Sequence, residues 1–144
     1  MSLRRRLPRR GGGADLGARL TDADFAAHAR FRYALRRFLA FSEGRARAAG
    51  ITPAQHQMLL AVRAAPAGWL SVGAIARRLM IRPNSAAGLV ERAARQGLVE
   101  KAADPRDGRR VQVRLSERGA ALIADITAAH RVELARLWRR VPPL

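Results

Sequence analysis

The sequence contains no cysteine, which excludes a disulfide framework, a thiolate metal site and any thiol-based redox switch. It is almost without lysine: Lys101 stands alone, so the other basic residues are arginines. Acidic residues are scarce, 11 Asp and Glu against 28 Lys and Arg. No apolar run approaches the roughly 20 residues that a membrane span needs. The N-terminal arginines Arg4, Arg5, Arg6, Arg9 and Arg10 are not followed by an apolar stretch of signal-peptide length. A soluble, cytoplasmic protein with no membrane partner is the expectation. No Ser-His-Asp order, glycine phosphate loop or paired-carboxylate spacing stands out, so neither enzymatic activity nor a cofactor is expected. The three histidines, His28, His56 and His130, are far apart in the chain. They would bind a metal only if the fold gathered them, and core or pocket roles are expected instead.

What remains is a chain of 144 residues, long enough for one domain to bury a core unaided, with a formal charge of +17 and a sequence pI near 12.0. Such an excess fits a polyanion: nucleic acid first, an anionic membrane surface second. Abundant alanine beside the arginine also fits a GC-rich genome, so the charge argument is discounted and local patterns must carry the reading.

Residues 1–20 lack periodicity and contain a Gly-Gly-Gly run. They read as a flexible basic arm that touches DNA phosphates or reaches a minor groove, or else as an unremarkable or mis-annotated start. Residues 21–144 read as a single domain. Thr21 or Asp22 can cap a helix over about 22–48. Phe25, His28, Phe31, Leu35, Phe38, Leu39 and Ser42 recur along it at steps of three and four. Gly50 ends it. So large a stripe on so small a domain wants a partner, which points to a dimer seam. Thr52-Pro53 starts a helix over about 53–64, with Met58, Leu59 and Val62 inward. Trp69-Leu70 can supply a short strand, and Ser71 caps a helix whose inner face is Val72, Ile75, Ala76 and Leu79. Met58 and Met80 both read as core filler.

The next thirty residues, 81–110, organise the rest. A helix opens on Pro83 and closes at Gly97, with Leu89, Val90 and Ala93 inward. Arg82, Asn84, Ser85, Ala87, Gly88 and Arg92 lie at its start and on its other face. Small residues there allow close approach to base edges, and Asn and Arg offer bidentate bonds to adenine and guanine. A merely small solvated face is the alternative. Two strands follow, 99–103 and 111–116, the second read with Val111, Val113 and Leu115 inward and Gln112 and Arg114 outward. Between them Asp104-Pro-Arg-Asp-Gly-Arg-Arg holds an Asp-Gly hairpin signal. Arg106, Arg109 and Arg110 exceed what Asp104 and Asp107 can neutralise, so at least one guanidinium should reach a phosphate or minor groove. A salt bridge from Asp107 is expected to preset Arg109. The tail carries Leu122, Ile123, Ile126, Ala129, Leu134, Leu137, Trp138 and Val141 as an apolar stripe, stopped by Pro142-Pro143 and read as breaking near His130. It has no cover within a small lobe and, together with the first long helix, is expected to make a two-fold helical dimer interface, a membrane-surface helix being the competing view.

The fold expected is mainly α with a small β-wing: a winged helix-turn-helix lobe over 51–115, flanked by dimerisation helices over 21–50 and 116–144. In Ile51-Thr-Pro-Ala-Gln, Ile75-Ala-Arg-Arg-Leu, Gly97-Leu-Val, the Asp104–Arg110 hairpin and Leu115-Ser-Glu-Arg-Gly, the chain resembles the MarR family of bacterial transcription regulators over about 51–127. The resemblance implies a homodimer on a pseudo-palindromic operator, with helices in successive major grooves and wings in flanking minor grooves. It also implies repression, relieved when a small aromatic or phenolic acid binds between the dimerisation helices and the lobe. Arg82, Asn84, Ser85, Ala87, Gly88 and Arg92 would read the groove, with Arg106, Asp107, Arg109 and Arg110 in the wing contact. His28, Phe31, Arg32 and His56 are the expected effector pocket. The absence of cysteine excludes the family's oxidant-sensing mechanism, and Ala-Ala-Gly is a sparse base-reading face. The alternative function is a weakly specific DNA-coating protein without an effector.

Overall fold

The computed structural model describes residues 19–140. The basic arm therefore lies outside the described residues apart from Arg19 and Leu20, as do Val141 and the Pro142-Pro143 stop. Helix α1 (Asp22–Ala48) begins with a full capping box. The Thr21 side chain accepts from the Asp24 amide at 3.3 Å, and the Asp24 carboxylate accepts from the Thr21 amide at 2.7 Å. These bonds from Thr21 hold the Asp24 carboxyl below its ordinary range. Helix α2 (Pro53–Arg63) repeats the device with Thr52 and Gln55, and its first-turn proline costs no hydrogen bond there. Strand β1 (Leu70–Ser71) runs directly into α3 (Val72–Leu79), whose cap is the Ser71 hydroxyl. After α4 (Pro83–Arg95) come β2 (Val99–Ala103), β3 (Val111–Leu115) and α5 (Glu117–Arg140).

The three strands form one antiparallel sheet in the order β1-β3-β2. Leu70 pairs with Val113, and β2 runs along β3 from Val99 opposite Leu115 to Ala103 opposite Val111. The sheet and α2, α3 and α4 enclose a core centred on Met58, Leu59, Ile75, Leu98 and Val113, closed at one end by Ile123 and Ile126 of α5. Burying each such side chain contributes about 1.5–3 kcal/mol. Helices α1 and α5 pack together and against α2, outside this lobe.

Four sequence expectations are corrected. Helix α5 is continuous through His130: no proline or glycine interrupts it there, and the His130 ring bonds the Ile126 carbonyl one turn back instead of opening the helix. On β3, Gln112 is buried and Val111 is exposed. Because β3 is the central strand, Gln112 lies between Ser71 and Ala102, while Val111 sits at the wing end, past the core. Met80 is not core filler. It is 91 % exposed in a left-handed conformation (φ 54°), which ends α3 and turns the chain toward α4. The fourth correction, the partner of Asp107, belongs to the wing.

Candidate nucleic-acid interface

Helices α3 and α4, joined through Met80, form the helix-turn-helix. The Ile81 amide closes on the Ala76 carbonyl at 3.0 Å, satisfying the end of α3. Helix α4 buries Ala86, Leu89, Val90 and Ala93 and turns Asn84, Ser85, Ala87 and Arg92 outward. Gly88 is half-buried, and the Arg92 guanidinium folds back toward it: a Cβ added there would lie 3.4 Å from Arg92 Nη1. Every other helix starts under a serine or threonine oxygen. Helix α4 does not: Arg82 makes no side-chain cap. Pro83 has no N–H, so the Asn84 and Ser85 amides point along the axis with no acceptor among the described residues. An exposed helix start of this kind favours an anion such as phosphate.

The end of α4 is fixed tightly. The Ser116 hydroxyl donates to the Gly97 carbonyl at 2.6 Å and accepts from the Gly119 amide at 3.0 Å, so one side chain ends the turn after α4 and caps α5. Arg118 donates to the Gln96 carbonyl, and buried Gln55 of α2 donates to the Gln96 side chain. Gly119 sits against Leu98, where a Cβ would fall 2.0 Å from the Leu98 carbonyl oxygen. The Leu115-Ser-Glu-Arg-Gly pattern thus has a physical basis: Ser116 and Arg118 tie α5 to the end of α4, and the glycine permits the contact. On the exposed side, Glu91 of α4 pairs with Lys101 of β2, which holds the Glu91 carboxyl below its ordinary range.

The wing turn is built by its aspartates. Asp104 accepts the Arg106 amide at 2.9 Å, and Asp107 accepts the Arg109 amide at 3.1 Å. The backbone closes with Asp104 N–H to Arg110 at 2.9 Å and Arg110 N–H to Asp107 at 2.9 Å. The expected Asp107–Arg109 salt bridge is therefore absent, because the carboxylate is spent on the turn's own backbone. Arg106, Arg109 and Arg110 are exposed, and no carboxylate pairs with them among the described residues.

Arg109 and Arg110 also line a groove of about 390 Å³ with Ser71, Gly73, Ala87 and Arg77. The groove joins the wing, α4 and the start of α3. Arg77 was missed by sequence reasoning, which read Ile75-Ala-Arg-Arg-Leu for its apolar members. Its signal was its place two residues past Ile75, on the outer side of an eight-residue helix.

The four expected effector residues do not share one pocket. His56 is buried and stacks on His130, with ring centroids 5.0 Å apart, while His28 and Arg32 line an open groove on the exposed side of α1. Phe31 is half-buried and lines neither α1 groove. A second groove, about 440 Å³, runs between α1 and α5. Tyr33, Phe38, Phe41 and Leu137 form its apolar wall, and Arg30, Arg37, Arg136 and Arg140 its basic rim. The fold brings together two of the three histidines. No three potential metal-ligating side chains converge, and no helix is long and apolar enough to cross a membrane, among the described residues.

Residues 49–110, the winged lobe through the wing tip, match the MarR family model. No curated protein matches the chain by sequence. Among solved structures the chain is similar to AbsC, a MarR family transcriptional regulator from Streptomyces coelicolor. The TM-score is 0.71 and the identity 17 %, covering 88 % of this chain and 85 % of that one. Wild-type MarR from E. coli in its apo form gives a TM-score of 0.66 at 17 % identity, over 87 % and 88 %. A MepR mutant from S. aureus bound to an oligodeoxyribonucleotide gives 0.64 at 20 % identity, over 86 % of each chain. The winged-helix architecture and the MarR resemblance of the lobe both stand.

Proposed function

We propose that this chain is a DNA-binding transcriptional regulator of the bacterial cytoplasm, acting as a homodimeric repressor on a pseudo-palindromic operator. The observation that carries the reading is the wing tip: three arginines are exposed without acidic partners among the described residues, and both nearby aspartates accept bonds from the turn's own backbone. A guanidinium preset on a rigid hairpin loses little entropy when it meets a phosphate or a narrow minor groove. Helix α4 offers a major groove the small surface Ala87-Gly88, the donors Asn84 and Arg92, and an uncapped start for a flanking phosphate. Arg77 and Arg82 extend the basic surface on either side of the turn between α3 and α4. Solvent-exposed Phe25, Tyr33, Leu39, Val132 and Trp138 on α1 and α5 support a second copy as the cover for those helices.

The α1/α5 groove suits a small aromatic acid better than the quartet His28, Phe31, Arg32 and His56, because its rings and arginines line one groove. Such an acid, bound there, would release the DNA.

Footprinting on fragments selected from the parent genome tests the central claim. Protection over two half-sites about one helical turn apart is expected. Arg109→Ala should weaken binding about tenfold on any sequence and reduce the salt slope by about one. Unchanged affinity would remove the wing from the interface. A second reading, a weakly specific DNA-coating protein, is favoured by the sparse Ala87-Gly88 face and the +17 charge. It predicts equal affinity for operator and random DNA across a salt series.

A further inference from the structure

His56 of α2 and His130 of α5 are both buried and stack nearly parallel, at 13° and 5.0 Å between centroids. Phe38 and Phe41 of α1 meet the His130 ring edge-on, each with centroids 5.6 Å away. The cluster thus joins the two long helices to α2, the nearest helix of the lobe. The Ile126 carbonyl can only accept, so His130 Nδ1, 2.6 Å from it, carries the hydrogen. His130 Nε2 is then a bare acceptor, buried and without a partner among the described residues. Parallel rings do not converge their in-plane lone pairs, so this pair is no chelating site.

We propose that the His56–His130 stack is a proton-sensitive latch between the DNA-binding lobe and the α1/α5 helices, which acid loosens, weakening DNA binding. The second part rests on the DNA-binding function proposed above. A proton taken up here places a cation in an apolar cluster, against a second imidazole. The groups around it offer little relief. One turn either side of His56, α2 presents Thr52, Pro53, Leu59 and Leu60, none of them charged. Beside Phe38 and Phe41, α1 presents the exposed cations Arg37 and Arg45, which oppose a further positive charge. On α5 the one ionisable neighbour a turn away is Glu133, already paired with Arg136. Burial, with a further contribution from His130, lowers the His56 imidazole below its ordinary value. The unfolded chain therefore binds the proton more readily than the folded one. Stability is complete above about pH 6.5, the unfolded value, and falls as the pH drops below it.

The test uses the full chain and two readouts. Thermal unfolding between about pH 7.5 and 5 should show wild type losing stability with acid. His56→Phe keeps a flat ring in the stack but takes no proton, and it should flatten that part of the profile. His130→Gln guards against poor accommodation of the new ring; it removes only the smaller of the two causes and should make that part of the profile shallower without flattening it. Equal pH slopes in wild type and both variants would overturn the latch. The second readout is affinity for genomic fragments enriched at neutral pH. Wild type should bind about tenfold more weakly near pH 5.5, against the general gain that extra positive charge gives in acid. His56→Phe should lose that drop. Wild type that binds at neutral pH and equally well in acid would refute the coupling and leave the DNA-binding reading intact. Failure to bind DNA at either pH would refute the DNA-binding reading and the coupling together, while the unfolding profile still decides the latch.

Discussion

The winged lobe and the two long helices beside it handle apolar surface in opposite ways. In the lobe Met58, Leu59 and Ile75 are 0 % exposed, and the small sheet closes over them. On α1 and α5 Phe25, Tyr33 and Trp138 stand 62 %, 64 % and 68 % exposed. The lobe meets its own burial needs within one chain. The long helices carry their apolar load along one shared layer and leave much of it uncovered among the described residues, which fits the second copy proposed above as the cover. Stability should therefore reside in the lobe and assembly in the helices, and substitutions should separate the two.

The largest effect is expected where the regions meet. Gly119→Ala drives a Cβ into the Leu98 carbonyl, and such overpacking should cost about 3 kcal/mol. Urea unfolding would measure it, and a wild-type midpoint would mean that α5 does not approach Leu98 so closely. Next comes the exposed face: Leu39→Glu should leave the urea midpoint within about 0.5 kcal/mol of wild type. It should also weaken self-association about tenfold, equivalent to about 1.4 kcal/mol, because a carboxylate is buried against an apolar face. Sedimentation at several concentrations would show it, and an unchanged dimer would put the seam on another face. The smallest effect is inside α4. Gly88→Ala should raise stability by about 1 kcal/mol, because glycine is a poor helix former and the added methyl meets only the flexible tip of Arg92. If stability rises while DNA affinity falls, the glycine is kept for the groove and not for the fold.

Much of the lobe was legible because its signals are local. Thr52-Pro53, Ser71, Pro83 and Asp107-Gly108 each act within three or four residues, through a cap, a fixed φ or a turn, and the elements begin and end where those residues say. The errors came from partners that lie far away in the chain. Gln112 is buried because β3 has a strand on either side, which alternation along one strand cannot reveal. Asp107 had two available donors, the Arg109 side chain and its backbone amide, and the amide two residues on is the nearer. Met80 was misjudged on side-chain type alone, whereas its conformation is set by the turn. Of the candidate site, the wing arginines and the outward face of α4 were readable from spacing. Arg77 needed the groove between three elements to be seen, and the pairing of His56 with His130 needed α2 and α5 to be brought together.

The Ser116 hydroxyl has a consequence in terms of leverage. It joins the turn after the recognition helix to the first turn of a 24-residue rod. At 1.5 Å per residue that rod is about 36 Å long, so a tilt of about 5° at Ser116 moves its far end by about 3 Å. Run in reverse, a small displacement of the far end of α5 near Trp138 becomes a small rotation of α4. In the dimer proposed above, one buttressed hinge would then set how far apart the two copies of α4 are held, and hence which spacing of half-sites the pair could span.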